Sequence, residues 1–226
     1  AFQEGISVTS QLEAQGDVLL SFPYESMQPF LQLIRESAFD ERVISIKITL
    51  YRIARQSKLA EYLIDAAENG KEVTVLMELR ARFDEQNNIE WAQQLEEAGC
   101  RVIYGMDGFK VHSKICLITR NENGQIHYIT QIGTGNYNEK TAKLYTDYSY
   151  MTTDPMIGAD AAAFFNNLCM GNLKGDYEKL WVAPSAFKSK IIAGIDKQIR
   201  LASQGAGGFL TVKCNSVTDK DIIEKL

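Results

Sequence analysis

The sequence predicts an α/β fold with a mixed, largely parallel sheet flanked by helices. Segments rich in β-branched residues alternate with segments of helical periodicity, at a spacing typical of βαβ units. Two further strand-like segments, 111–119 and 126–132, flank the turn sequence NENG and predict an antiparallel hairpin inserted into the sheet. With 226 residues, the chain is long enough for one large domain or two small ones.

The predicted elements follow in a regular order. A loop and an amphipathic helix within the N-terminal forty residues lead into the first strand, and the helix after that strand stops at Gly70. The next helix is capped by Asn87 or Asn88 and stops at Gly99. The predicted strands cover 43–51, 72–79, 100–104, 111–119, 126–132 and 146–153, and two later helices cover 156–172 and 185–203.

The C-terminal tail resembles the start of a second α/β unit. A linker-like stretch, SQGAGG, precedes FLTVKCNSVTDKDIIEKL, which repeats the order of strand, polar turn and helix found at 44–63. We therefore predict a first domain over 1–205 and the truncated start of a second over 206–226. Because the chain lacks an initiator Met and ends within a helix that cannot bury its apolar face alone, we expect a fragment of a longer protein.

Composition excludes several classes of protein. The net charge of −5 argues against general nucleic-acid binding. No apolar run is long enough for a membrane span, and the N-terminus lacks the features of a signal peptide. The four cysteines are widely spaced without a CxxC pattern, which indicates reduced thiols in a cytosolic protein and no zinc site.

Arginine pairs follow two predicted strands at their carboxyl ends. Arg52 and Arg55 follow the first strand, and Arg80 and Arg82 follow the second. Ligand sites in open α/β sheets gather beyond these ends, and a guanidinium group matches phosphate geometry. One such pair is compatible with a solvated turn, whereas two adjacent strands that both end in arginine favour an anion site.

The segment GFKVHSKICLITR places His112 and Lys114 two residues apart, on one face of a predicted strand. The structural alternative is a core histidine beside a lysine whose stem is buried. Lys110 lies just upstream and favours a site, because cations around a neutral imidazole keep its lone pair available for attack. The chain's other histidine, His127, has no polar companions and is expected to be structural or exposed.

The loop after the next strand, IGTGNYNEKTAKLYTDY, completes the candidate pocket. Gly133 and Gly135 free the backbone to approach a ligand, Asn136 offers an amide, Asn138 offers a helix cap, and Lys140 adds positive charge. No GxxxxGK[ST] motif and no paired carboxylates occur at a comparable place. The pattern predicts a phosphate site without carboxylate-driven hydrolysis.

These motifs carry a family resemblance. HSK followed by IGTGN resembles the HxK and G-[ST]-x-N elements of the phospholipase D superfamily, although Arg120 stands where that pattern usually has an aspartate. A closer match covers nearly the whole chain, which resembles the first C-terminal catalytic domain of polyphosphate kinases and the opening of the second. The matching segments are ISIKITLYRIA, ELRARFDEQNNIEWA, VHSKICLITR, IGTGNYNEKTAKLYTDYSYMT and GGFLTVKCNSVTDKDIIEKL.

The resemblance implies a phospholipase D-like fold and a specific reaction. That reaction is the reversible transfer of the ATP γ-phosphate to inorganic polyphosphate through a phosphohistidine. Tyr145 would touch the nucleotide, whereas the residues alone favour core packing for it. The implied site residues are His112 as nucleophile with Lys114 beside it; Tyr145, Asn136 and Lys140 at ATP and its phosphates; and Arg52 and Arg82 at the Mg²⁺–phosphate group, contacting phosphate rather than the metal.

Two alternatives remain open, a phospholipase D-like phosphodiesterase and a polyanion-binding module without turnover. The family's second catalytic domain contributes another histidine and arginine, so we expect this fragment alone to be inactive or impaired. The expected partners are ATP or ADP with Mg²⁺, inorganic polyphosphate and, in the full-length protein, further copies of the chain, but no nucleic acid. The expected location is the cytoplasm, either free or peripheral to the inner face of the membrane.

Overall fold

The computed structural model describes residues 2–3, 5–78, 85–105 and 108–226, in two compact units, Ala1–Phe165 and Asn166–Leu226. The helices are α1 (Val8–Gln15), α2 (Gln28–Phe39), α3 (Lys58–Glu68), α4 (Glu85–Glu97), α5 (Pro155–Cys169), α6 (Phe187–Ser203) and α7 (Lys220–Lys225), with a short 3-10 helix at Thr141–Lys143. The strands are β1 (Val18–Phe22), β2 (Val43–Leu50), β3 (Glu72–Met77), β4 (Arg101–Tyr104), β5 (Ile115–Glu122), β6 (Gln125–Gly133) and β7 (Asp147–Thr152).

Seven strands within the described residues form one mixed sheet, in the order β1-β7-β6-β5-β2-β3-β4. The α/β class with a mixed sheet flanked by helices is therefore confirmed. Parallel pairing is confined to β2–β3 and β3–β4, which corrects the expectation of a largely parallel sheet. The physical reason is that β5, β6 and β7 follow one another as antiparallel neighbours. This block is flanked by two further antiparallel pairs, β2 with β5 and β1 with β7.

The predicted hairpin forms between β5 and β6. Its two central residues, Asn123 and Gly124, have φ angles of 55° and 84°. Both angles lie in the left-handed region that a two-residue hairpin turn requires, and Asn-Gly is the sequence that tolerates it best. This turn fixes the register in which β5 carries its apolar residues beside β2.

Sequence reasoning missed the N-terminal elements α1 and β1. Both are short, and β1 lies at the sheet edge, where Leu19 is 59% exposed and weakens the alternating pattern. The tail shows the opposite error, since residues 209–213 do not form the predicted strand. Phe209 is 80% exposed, and the segment pairs with no strand of the described chain. The helix expected after it does form, as α7.

The core of the first unit lies between the sheet and helices α1 to α4. Helix α3 begins where Ser57 Oγ accepts a hydrogen bond from Ala60 N at 3.3 Å, an N-cap, and its residues Leu59 and Leu63 are fully buried. Burying one leucine in this way stabilises the fold by roughly 1.5–3 kcal/mol. On the sheet side the core includes Ile46 of β2. This packing places the carboxyl ends of β2 and β3 at one edge of the sheet.

Candidate active site

Arg52 lies directly beyond the carboxyl end of β2, as the sequence predicts, and helix α4 holds the segment that carries it. Three side chains of α4 donate hydrogen bonds to backbone oxygens of this segment: Asn87 to Ile53 (2.8 Å), Asn88 to Tyr51 (2.9 Å) and Trp91 to Ala54 (3.0 Å). Asn88 is fully buried, and its amide also donates to Glu78 O at 3.1 Å, so it joins the ends of β2 and β3.

These contacts correct the expectation that Asn87 or Asn88 caps the helix. The described part of helix α4 already includes Glu85, so both asparagines lie inside the helix and not at its cap. Their amide groups donate to the segment after β2 instead of accepting from the helix's own backbone. The turn that carries Arg52 is therefore fixed by three hydrogen bonds from one neighbouring helix.

His112 and Lys114 lie on an irregular segment before β5, not on the strand. The strand begins at Ile115, because the hydroxyl of Thr49 replaces the β2 backbone there: Oγ1 donates to Ser113 O at 2.8 Å and accepts from Ile115 N at 3.2 Å. The expectation that strand alternation places both side chains on one face is therefore wrong. The two residues still meet, since the Lys114 ammonium donates to the backbone oxygen of His112.

The imidazole of this pair is exposed, whereas the ammonium is buried. Lys114 is only 6% exposed, and burial lowers its pKa to about 8 against the opposing charge of Asp147. Partial burial of the imidazole and nearby positive charges lower the pKa of His112 below its ordinary value of 6.5; these charges belong to Lys114, Lys110 and Arg52. At neutral pH the imidazole keeps its lone pair, and the buried cation beside it favours an anionic ligand.

The glycine-rich loop after β6 begins beside Lys114. The backbone N of Gly133 donates to Lys114 O at 2.8 Å. Farther along, Tyr137 is buried and fastens the loop to the core, because its hydroxyl donates to the Gln131 side chain and its ring stacks on Phe30 at 5.1 Å between centroids. The loop is thus held at both ends of its GTGNY sequence.

Asp147, the first residue of β7, closes this loop from the other side, and sequence reasoning missed it. Its Oδ1 accepts from Thr134 Oγ1 at 2.7 Å, and its charge acts on Lys114. A Cβ atom at Gly135 would lie 2.5 Å from Asp147 Oδ2, so the close approach requires glycine. An acidic residue at the start of the strand after a glycine-rich loop is the signal that could have identified it.

The other residues predicted for the site have different positions. Asn136 has a buried Oδ1 atom with no hydrogen-bond partner in the described part of the chain. Lys140 is exposed and is not among the charges that act on His112. Tyr145 is 63% exposed, which excludes core packing. Arg82 lies outside the described residues, so its place in the site stays a prediction.

Two residues near the hairpin turn lie away from this site. Arg120 is buried on β5 and forms an ion pair with the carboxylate of Glu13. Its Nη2 atom also lies 3.2 Å from Glu122 Oε1. It joins β5 to the N-terminal helix at the position where the phospholipase D pattern has an aspartate. His127 lies opposite Arg120 on β6 and is exposed, as expected.

The fold defines the class to which the chain belongs. It is similar to Nuc from Salmonella typhimurium, a phospholipase D family member, with a TM-score of 0.54 and 12% identity over 72% of this chain and 99% of that one. Together with the strand-end site, this likeness identifies a phospholipase D-like fold. At 12% identity the likeness concerns the fold alone.

The family follows from closer comparisons. The model of polyphosphate kinase C-terminal domain 1 matches residues 7–174, and that of C-terminal domain 2 matches 180–226. The structure is similar to polyphosphate kinase from Porphyromonas gingivalis, with a TM-score of 0.83 and 31% identity over 97% of this chain and 38% of that one. The chain belongs to the polyphosphate kinase family.

Curated relatives agree with this assignment over part of their length. Polyphosphate kinase of Staphylococcus epidermidis is 50% identical over 216 residues, which are 96% of this chain and 29% of that protein. The Bacillus cereus enzyme is 48% identical over 93% of this chain and 30% of its own length. The chain thus spans less than a third of these relatives. The predicted domain boundary near residue 205 stays a prediction.

Proposed function

We propose that this chain carries the phosphoryl-accepting site of a polyphosphate kinase, in which His112 takes the γ-phosphoryl group of ATP and passes it to inorganic polyphosphate. The observation that carries the proposal is an exposed imidazole with a lowered pKa directly beside the buried ammonium of Lys114. An accessible lone pair is what a nucleophile needs, and a buried cation is what the developing charge on a phosphoryl group needs.

The proposed step balances as two displacements at phosphorus. A ring nitrogen of His112 forms the N–P bond while the bond to the bridging oxygen of ADP breaks, and ADP leaves with the electron pair. A terminal oxygen of polyphosphate then attacks the same phosphorus, and the N–P bond breaks. Lys114 and Arg52 stabilise the charge on the equatorial oxygens during both displacements.

The residues present fit a magnesium ion held through its nucleotide. In the described ranges, no three His, Cys, Asp or Glu side chains come together as a metal cage. Mg²⁺ commonly keeps several waters and binds through substrate phosphates, so such a cage is not required. When bound with ATP, the ion would neutralise charge on the phosphates, and Arg52 would contact phosphate oxygens beside it.

The remaining residues have supporting roles in this proposal. Asn136, on the loop fixed by Tyr137 and Asp147, would face the phosphates, with Lys140 along their path. The exposed ring of Tyr145 offers a face to adenine. Arg82 would join Arg52, and assembly of several copies in the natural protein stays a prediction. No helix among the described residues has the length and apolar character to cross a membrane.

The proposal is tested by phosphate incorporation from ATP labelled at the γ position, in the longest natural chain that contains this sequence. His112→Ala should reduce acid-labile, base-stable label on the protein to background. The matched control is His127→Ala, which removes the chain's other histidine from an exposed strand and should keep normal labelling. A base-stable phosphoenzyme that persists in His112→Ala would overturn the proposal.

A further inference from the structure

Tyr51, the residue directly after β2, contacts three charged or reactive side chains of the site. Its ring meets the His112 imidazole edge-on, with centroids 5.1 Å apart and planes at 74°. The Lys114 ammonium lies 5.5 Å from the ring centroid, and the Arg52 guanidinium carbon lies 5.6 Å from it. One aromatic ring therefore touches the proposed nucleophile and two of the cations around it.

The backbone beneath this ring is fixed. Asn88 donates to Tyr51 O at 2.9 Å and to Glu78 O at 3.1 Å, and it is fully buried. Tyr51 thus stands on a segment that is hydrogen-bonded to α4 and tied to the end of β3. By contrast, His112 lies on the irregular segment before β5, where no strand ladder orients its side chain.

The contacts have a direct electrostatic meaning. The face of an aromatic ring is negative and attracts cations within about 6 Å, while its edge is positive and favours a T-shaped partner. The ring therefore attracts Lys114 and Arg52 without adding a full negative charge that would compete with phosphate. It also restricts the rotation of the imidazole, which is what an in-line attack on phosphorus requires.

We propose that Tyr51 is a positioning residue, whose ring orients the His112 imidazole and holds the Lys114 ammonium beside it for phosphoryl transfer. This inference rests on the proposed role of His112 as the phosphoryl acceptor. The positioning role belongs to the ring and not to the phenol hydroxyl, because the contacts to His112, Lys114 and Arg52 are all made by the ring.

The test compares ring-retaining and ring-deleting variants in the longest natural chain that contains this sequence. The rate of phosphoenzyme formation is measured in single turnovers at saturating labelled ATP, and ATP affinity is measured separately. Tyr51→Phe should stay within about twofold of the wild-type rate. Tyr51→Leu should form phosphoenzyme about 10–100-fold more slowly with unchanged ATP affinity, the size of effect that a misplaced reacting group produces.

Controls separate positioning from folding. Tyr104→Leu removes a half-exposed tyrosine of β4 in the same unit and should leave the rate unchanged. Tyr51→Met, an unbranched second ring deletion, replaces Tyr51→Leu if the latter does not fold. A wild-type rate in the ring deletions, an equal loss in Tyr51→Phe, or a loss of ATP affinity alone would each overturn the inference.

The outcome also separates this inference from the proposed function. If His112→Ala still forms a base-stable phosphoenzyme, the proposed function fails and the role of Tyr51 fails with it. If labelling requires His112 but the ring deletions react at the wild-type rate, only the positioning role is wrong.

Discussion

Lys114→Arg tests whether the buried ammonium serves phosphoryl transfer in its charged form. The pKa of Lys114 is lowered from 10.5 to about 8 by burial. A charge that binds phosphate is present below that pKa and lost as the pH rises through it. Above about pH 8, kcat/KM for ATP should therefore fall about tenfold per pH unit, since this ratio follows the ionisation of the free enzyme.

Arginine stays protonated throughout this range, so Lys114→Arg should lose the alkaline fall even if its maximal rate is lower. The fall of kcat/KM at low pH should remain in both the wild type and Lys114→Arg. The pKa of His112 is lowered below 6.5, so its neutral form persists under mild acid and activity falls only as the pH drops through that lower value. Two limits with separate causes thus give a bell-shaped profile.

The assay is kcat/KM for ATP from about pH 5 to about pH 10 at constant ionic strength, in the longest natural chain that contains this sequence. The matched control is Lys110→Arg, an exposed lysine that also acts on His112 and should keep the alkaline fall. A wild-type profile that stays flat to about pH 10 would refute the reasoning. An alkaline fall at the same pH in Lys114→Arg would refute it equally.

Two further substitutions test the frame around the site. Asn88→Ala removes the donor to two backbone carbonyls at the ends of β2 and β3 and should lower the free energy of unfolding by about 2–4 kcal/mol. Asn87→Ala removes one such hydrogen bond and should lower it by about 1 kcal/mol. Urea unfolding followed by tryptophan fluorescence measures both values, and equal small losses would contradict this expectation. Gly135→Ala places a Cβ atom 2.5 Å from Asp147 Oδ2 and should slow phosphoenzyme formation about tenfold. The control is Gly194→Ala, where an added Cβ atom meets nothing within 4 Å and the rate should not change. A normal rate in Gly135→Ala would show that the loop accommodates the added Cβ atom.

Local patterns predicted the elements that depend on nearby residues. The strand 43–51, the helix after it and the Asn-Gly hairpin all form, because periodicity and turn chemistry act within a few residues. The edge strand β1 was missed because its pairing with β7 joins segments far apart in the chain. The sheet was expected to be largely parallel for the same reason, because the direction in which two strands pair depends on residues far apart in the chain.

The candidate site shows the same division. His112, Lys114 and Arg52 were identified from their types and spacing, and in the structure the charges of Lys114 and Arg52 act on the imidazole of His112. The strand position predicted for His112 and Lys114 was wrong, because β5 begins only at Ile115, where the hydroxyl of Thr49 takes the place of the β2 backbone. Tyr51 and Asp147 were missed, because a ring contact and a carboxylate across a loop appear only when separate segments have folded together.

The most direct test of the central claim is to locate the phosphoryl group itself. After brief reaction with ATP, the protein is digested and its peptides are separated under alkaline conditions, which preserve phosphohistidine, and then analysed by mass spectrometry. With trypsin, which cleaves after Lys110 and Lys114, we expect the added phosphate on the peptide Val111–Lys114, which contains His112. Phosphate found only on another peptide, such as the one that contains His127, would contradict it.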